Sequence, residues 1–137
     1  MQIKDILAKC QQNTYFRQVL ATGSHTQVVI MSIKPGEDIG EETHPNNDQV
    51  LYLAAGSGKA VLNHEESDYS AGDLVLVPAG TLHNFVNSGG EDLKIITTYS
   101  PPHHPDGTVH KTKQDAQAPA GHATHIAAVT ASTFQSL

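Results

Sequence analysis

Gly72–Asn87 reads GDLVLVPAGTLHNFVN and sets the architecture expected of the whole chain. An apolar, β-prone run (Leu74–Val77) meets Pro78, Gly80 and then His83, and a second short strand follows from Asn84. Proline has no N–H to give to a strand ladder, and glycine supplies the turn, so the first strand ends there. A histidine placed just after such a turn sits on a fixed scaffold. A second polar cluster lies upstream, at Glu42, His44 and Gln49. The two segments are expected to meet inside a small β-barrel.

Working outward, short β-branched or aromatic runs alternate with Gly, Pro, Asn and Asp breaks. Strands are expected at Tyr15–Ala21, Thr26–Ile33, Glu41–His44, Gln49–Ala54, Lys59–Leu62, Leu74–Val77, Asn84–Val86 and Leu93–Tyr99. Regularly spaced short strands with turn signals indicate a sandwich or barrel. The fold class expected is all-β, with a core from 15 to 100. Before it, residues 1–14 carry a short helix over 2–10, where Ile3, Ile6, Leu7 and Cys10 make one apolar stripe at helical spacing. Cys10 reads as buried filler. After it, residues 101–137 begin with a Pro/His-rich loop and end in a small-residue tail without Asp, Glu, Lys or Arg from 116 onward. Ile126, Val129 and Phe134 are candidate anchors for that irregular tail.

The chain has 137 residues, which suits one domain with a real core and no disulfide staples. Apolar residues make up 38%, aromatics only 5%, and there is no Trp, so Val, Ile, Leu and Ala must fill the core. The net charge is −6 and no Lys/Arg cluster occurs, which argues against nucleic acid and anionic membranes as partners. No apolar run approaches about 18 residues, so no membrane helix is expected. A single cysteine cannot form an intrachain disulfide, and a reducing, cytoplasmic setting fits.

In a strand, residues i and i+2 share a face, so Glu42 and His44 project together. Pro45-Asn46-Asn47-Asp48 is a turn composition, and a chain that doubles back there puts Gln49 on the same face. His83 joins from across the barrel. Two imidazoles, a carboxylate and an amide oxygen suit a divalent first-row transition metal: Fe, Mn, Co, Ni or Zn. His25 and His64 read as solvated, Asn87 as a capping residue, and Tyr52 as packing because it faces away from Gln49. His103, His104 and His110, with Asp106, are candidates for a lid over the barrel mouth, supplying a substrate contact or general base. The alternative is an exposed loop. His122 and His125 read as incidental.

The pattern resembles that of a single-domain cupin. The second cupin motif, Gly-x5-Pro-x-Gly-x2-His-x3-Asn, is met by Gly72, Pro78, Gly80, His83 and Asn87. The first, Gly-x5-His-x-His-x(3,4)-Glu-x6-Gly, is met in spacing by Gly36, Glu42, His44, Gln49 and Gly56. Two ligand positions depart from it: Glu42 stands for the first His and Gln49 for the Glu. The departures compensate, because one anionic ligand remains. The gap at 57–71 is short, as in compact bacterial cupins. The resemblance, over about residues 28–100, implies a jelly-roll barrel (a double-stranded β-helix). It implies a metal held by Glu42, His44, Gln49 and His83, a small-molecule ligand or substrate, and a homodimer. Fold does not give function. Metal-dependent chemistry on a small oxygenated molecule is expected, of dioxygenase type or of isomerase or epimerase type. A non-catalytic cupin that binds or senses a sugar or organic acid is the alternative, and a seed-storage role is disfavoured.

Overall fold

The computed structural model of the protein describes residues 1–117 of the 137. The tail anchors Ile126, Val129 and Phe134 and the histidines at 122 and 125 lie outside the described residues. One helix, α1 (Ile6–Gln12), precedes nine strands: β1 (Arg17–Thr22), β2 (Gln27–Ile33), β3 (Asp48–Ala55), β4 (Ser57–Leu62), β5 (Glu65–Ser70), β6 (Leu74–Val77), β7 (His83–Val86), β8 (Leu93–Ser100) and β9 (Val109–His110). A short helix, α2 (Lys113–Gln117), follows. All strand pairs are antiparallel. They form a six-stranded sheet in the order β6-β3-β8-β2-β1-β9 and a three-stranded sheet in the order β5-β4-β7. The expected jelly-roll architecture is therefore the observed one. No described helix is long and apolar enough to cross a membrane.

Alternation divides the interior into two halves. On β8 the inward residues run Leu93, Ile95, Thr97, Tyr99; on β3 they run Gln49, Leu51, Leu53; on β7 they are His83 and Phe85. Because neighbouring strands are antiparallel, the apolar members collect at one end and the polar members at the other. The dry end holds Val29, Met31, Ile33, Leu53, Phe85, Leu93 and Ile95 in one apolar cluster. The polar end holds Gln49, His83, Thr97, Tyr99 and Gln27, all buried. Asn87 caps the join as expected, donating to Ile33 O (2.8 Å) and Glu91 O (2.7 Å).

Three local expectations change. The helix starts at Ile6 because Asp5, in the left-handed region, caps it by accepting from Ala8 N. Cys10 is fully buried and Leu7 is exposed, so the apolar stripe packs only in part. Burial pushes the Cys10 thiol up to about 11, against the opposing charge of Lys94, which leaves it inert. Glu41–His44 is not a strand; it is held by a single bridge between Glu42 and His83. Finally, β5 lies in a stretch where no strand is expected. Its sequence EESDYS exposes every residue except Tyr69, and it pairs with β4 through an Asn63-His64 turn in which both residues have positive φ.

Candidate metal centre

The two motif segments are stitched together through their backbones. Gly80 takes φ +84°, a conformation costly for residues with a Cβ, and its N–H donates to His44 O at 2.8 Å. Ala79 N donates to the Asp48 carboxylate (2.9 Å), and Thr81 N closes the turn on Pro78 O (3.1 Å). Glu42 and His83 exchange both backbone hydrogen bonds, at 3.0 and 2.9 Å. The Pro-x-Gly turn thus delivers His83 and at the same time fixes the strip that carries Glu42 and His44.

The side chains converge. Glu42 Oε2 lies 3.4 Å from His44 Nε2 and 4.0 Å from His83 Nε2. One ligand atom from each of the three residues lies within 4.8 Å of the others. Both histidines are buried, whereas the Glu42 side chain is 30% exposed and opens the cluster toward solvent. His83 Nδ1 sits 2.9 Å from Thr81 O. A carbonyl only accepts, so Nδ1 carries the proton and Nε2 turns its lone pair to the cluster. Burial holds the His83 pKa below its ordinary value, so the ring is neutral. Burial alone pushes the Glu42 carboxyl up, but its contact with the His44 imidazole and the charge of Arg17 outweigh that and hold it below its ordinary value, so it is ionised.

Gln49 is buried in register with Tyr99 on β8 and Val77 on β6. Its Nε2 donates to Thr97 Oγ1 (3.0 Å), and its Oε1 is left buried without a partner. His44 Nε2 and His83 Nε2 are also buried without hydrogen-bond partners. Such an orphan costs roughly 1–3 kcal/mol. Three at one end of one barrel, beside an ionised carboxylate, are the donor set of a transition-metal ion, and the residues fit that group.

The loop after β8 covers this end. Gln27, fully buried, accepts from His103 N (3.2 Å) and His104 N (3.0 Å) and donates to His104 O (2.7 Å) and Thr22 Oγ1 (3.1 Å). Asn47 donates to Pro101 O at 2.6 Å. The His103 ring stacks on Tyr99 (5.4 Å) and meets His44 edge-on (4.4 Å), with His104 against both His103 and Tyr99. His110, on β9, accepts from Arg17 Nη1 at 3.2 Å. His103 and His104 thus touch the cluster or its neighbour Tyr99, while His110 reaches Arg17. Asp106 is exposed. Arg17, Gln27, Thr97 and Tyr99 belong to no sequence motif that marks them for the site. Only the alternation of β8 could have flagged Thr97 and Tyr99.

Burial dominates the protonation of this mouth. It pushes Tyr99 up to about 12, although Arg17 opposes it, and lowers His103 to about 4. It lowers His104 to about 2, helped by Arg17, His103, His110 and His44. Unfolded His104 binds a proton near 6.5, whereas the native ring refuses it until about pH 2. The stability this neutral ring contributes is therefore complete above the unfolded value. It is lost as pH falls toward the folded one, at about 1.4 kcal/mol per pH unit. The melting temperature is expected to fall between pH 7 and pH 5, and His104→Gln to make that fall shallower. Parallel curves for the two proteins would contradict the assignment.

Comparison with known proteins agrees with the fold. The family model described as Cupin domain matches residues 29–99. The uncharacterized protein YrkC of Bacillus subtilis (strain 168) is 49% identical over 115 residues, covering 79% of this chain and 61% of YrkC. The chain thus spans about three-fifths of that relative's length. The crystal structure of a Bacillus halodurans protein superposes with a TM-score of 0.83 at 41% identity, covering 85% of this chain and 92% of that one. An oxalate-binding protein of Thermotoga maritima is 27% identical over 66 residues, 48% of this chain and 54% of that protein. With the barrel, the two stitched motif segments and the family match over the strands that carry them, the chain belongs to the cupin family.

Proposed function

We propose that the chain binds a divalent transition metal (Fe, Mn, Zn or Ni) through Glu42, His44 and His83, with the Gln49 amide oxygen as a further donor. We propose that it acts there on a small oxygenated molecule. The observation that carries this reading is the convergence of two unpartnered imidazole nitrogens on one ionised carboxylate. When bound, such a metal supplies Lewis acidity and, if it is iron, electrons for dioxygen chemistry. The chain's own part is to hold His83 as one neutral tautomer, to keep Glu42 charged and to cover the mouth with His103.

The surrounding protonation states favour one chemistry. Isomerases and epimerases work best with a side chain whose pKa lies near the operating pH, so that it both takes and returns the proton. Burial sets Tyr99 at about 12, His103 at about 4 and His104 at about 2, all far from that range. This supports dioxygenase-type chemistry, with His103 and His104 as orienting groups rather than bases. The same scarcity of proton carriers supports a second reading, a non-catalytic cupin that holds a small acid. Likeness to a protein named for binding oxalate supports it too. The test is oxygen uptake by the Fe(II)-loaded protein supplied with a panel of small hydroxy and oxo acids. Uptake is expected with iron and none with Mn or Zn. A rearranged product without oxygen consumption would overturn the first reading, and binding without turnover would select the second.

We also propose a homodimer formed through β6. This strand lies at the edge of the larger sheet, with Leu74 60% and Leu76 56% exposed. An apolar, unpaired edge invites pairing with a second copy. Sedimentation velocity is expected to show a dimer that Leu74→Lys with Leu76→Lys breaks; a monomer at every concentration would contradict it.

A further inference from the structure

Arg17 opens β1 with its side chain on the buried face, and the residue is only 8% exposed. Its guanidinium lies over the Phe16 ring at 5.2 Å and donates from Nη1 to His110, while its Nε is buried without a partner. No described Asp or Glu forms an ion pair with it. Residues 118–137 hold no Asp or Glu that could do so. Glu42 feels its charge without coming within ion-pair distance of it. Among the described residues, a permanent cation has thus been taken largely out of water with no carboxylate within ion-pair distance. That arrangement is costly, and an unmatched buried charge needs a compensating partner.

The surroundings say where that partner sits. The Arg17 backbone lies in register with Met31, beside the apolar end, but its guanidinium reaches His110 and acts electrostatically on Tyr99, His103, His104 and Glu42 at the polar end. His104 Nε2 and Gln49 Oε1 are unpartnered at that same end. A guanidinium presents a planar fork of donors that matches a carboxylate.

We infer that Arg17 is the recognition site for the carboxylate of the molecule that enters this barrel, which makes the ligand a small organic acid rather than a neutral sugar. The inference rests on the proposed function and narrows its substrate class. The acid's oxygenated carbon is turned toward Glu42, His44 and His83, and its carboxylate toward Arg17. Arg17 also takes part in holding β9 through His110, so a purely structural role must be separated from recognition.

The probes are pyruvate and its neutral amide, pyruvamide, titrated by calorimetry into metal-free and metal-loaded protein at low ionic strength. Metal content is measured on the same samples. Pyruvate is expected to bind both forms, and pyruvamide at least tenfold more weakly. Arg17→Met is expected to weaken pyruvate at least tenfold with metal content unchanged. His110→Ala, which cuts the tether but keeps the charge, is expected to retain pyruvate binding. Without ligand, Arg17→Met is expected to melt no lower than the unaltered protein, because the variant removes an unmatched buried charge. Loss of metal from the unaltered protein with Arg17-dependent pyruvate binding intact would overturn the metal reading alone. Equal binding of pyruvate and pyruvamide, no pyruvate binding, or unchanged pyruvate binding by Arg17→Met would overturn the recognition site. So would a matching drop in melting temperature in Arg17→Met and His110→Ala, since that is the signature of a tether.

Discussion

His83→Ala is expected to lower metal affinity by at least 100-fold while the barrel stays folded. Losing a residue that only orients a ligand typically costs 10–100-fold, and His83 offers the donor atom itself. Its Nε2 is buried without a partner, and its proton is fixed on Nδ1 by Thr81 O, so the lone pair is already aimed. The backbone bonds between residues 83 and 42 do not use the imidazole and survive the change. Truncating a buried ring leaves a cavity next to Phe85, at a stability cost of roughly 2–4 kcal/mol. Competition titration against a chelator of known affinity, with circular dichroism on the same sample, checks both halves. Unaltered affinity in a folded variant would remove His83 from the centre.

Gln27→Ala is expected to be the most disruptive single change away from the cluster. One fully buried amide accepts two backbone N–H groups of the mouth loop and donates to a third loop atom and to Thr22. Alanine leaves two buried donors and one buried acceptor unsatisfied, at roughly 1–3 kcal/mol each when water cannot reach them. The loss is expected to total about 3 kcal/mol, because the loop relieves part of it by lifting. Amide exchange is therefore expected to quicken across residues 101–110 and to stay slow in β4 and β7. Uniform protection across both regions would mean that Gln27 does not hold the loop.

These two residues also show what a sequence discloses. His83 was legible because its setting is local: Leu74–Val77, Pro78 and Gly80 each act within a few residues of it, so strand, stop and turn can be read from composition. Glu42 and His44 were legible as a pair through the i, i+2 rule. The rule gave the right face for the wrong reason, because their strip is held by a single bridge to His83 and is not a strand. Gln27 and Arg17 were not legible. Each stands beside another polar residue (Gln18, Thr26) at the start of a β-prone run, where a solvated side chain is the ordinary outcome. Only the pairing of β2 with β8 and of β1 with β9 turns them inward on the mouth. β5 was missed because its single inward residue, Tyr69, gives no alternation to read, and its existence follows from β4 needing an antiparallel neighbour. The lid histidines were visible as a Pro/His-rich loop. Their placement depended on the Gln27 clamp, which no local pattern announces.

The exchange of charge between Glu42 and Gln49 acquires a physical sense in the folded chain. Gln49 is buried against Thr97 and Tyr99, where a carboxylate would lie deeper in low dielectric. Glu42 is part-exposed, and water helps to keep it ionised. A carboxylate at the rim costs less to keep charged than one at position 49, and a neutral amide is left inside.

The most direct test of the metal centre is elemental analysis of the protein after chelator treatment, re-metallation and removal of free ion, with His44→Ala and His83→Ala prepared in parallel. Close to one first-row divalent ion per chain is expected in the unaltered protein, and a small fraction of that in either variant. No retained metal in the unaltered protein, or full retention in both variants, would contradict it.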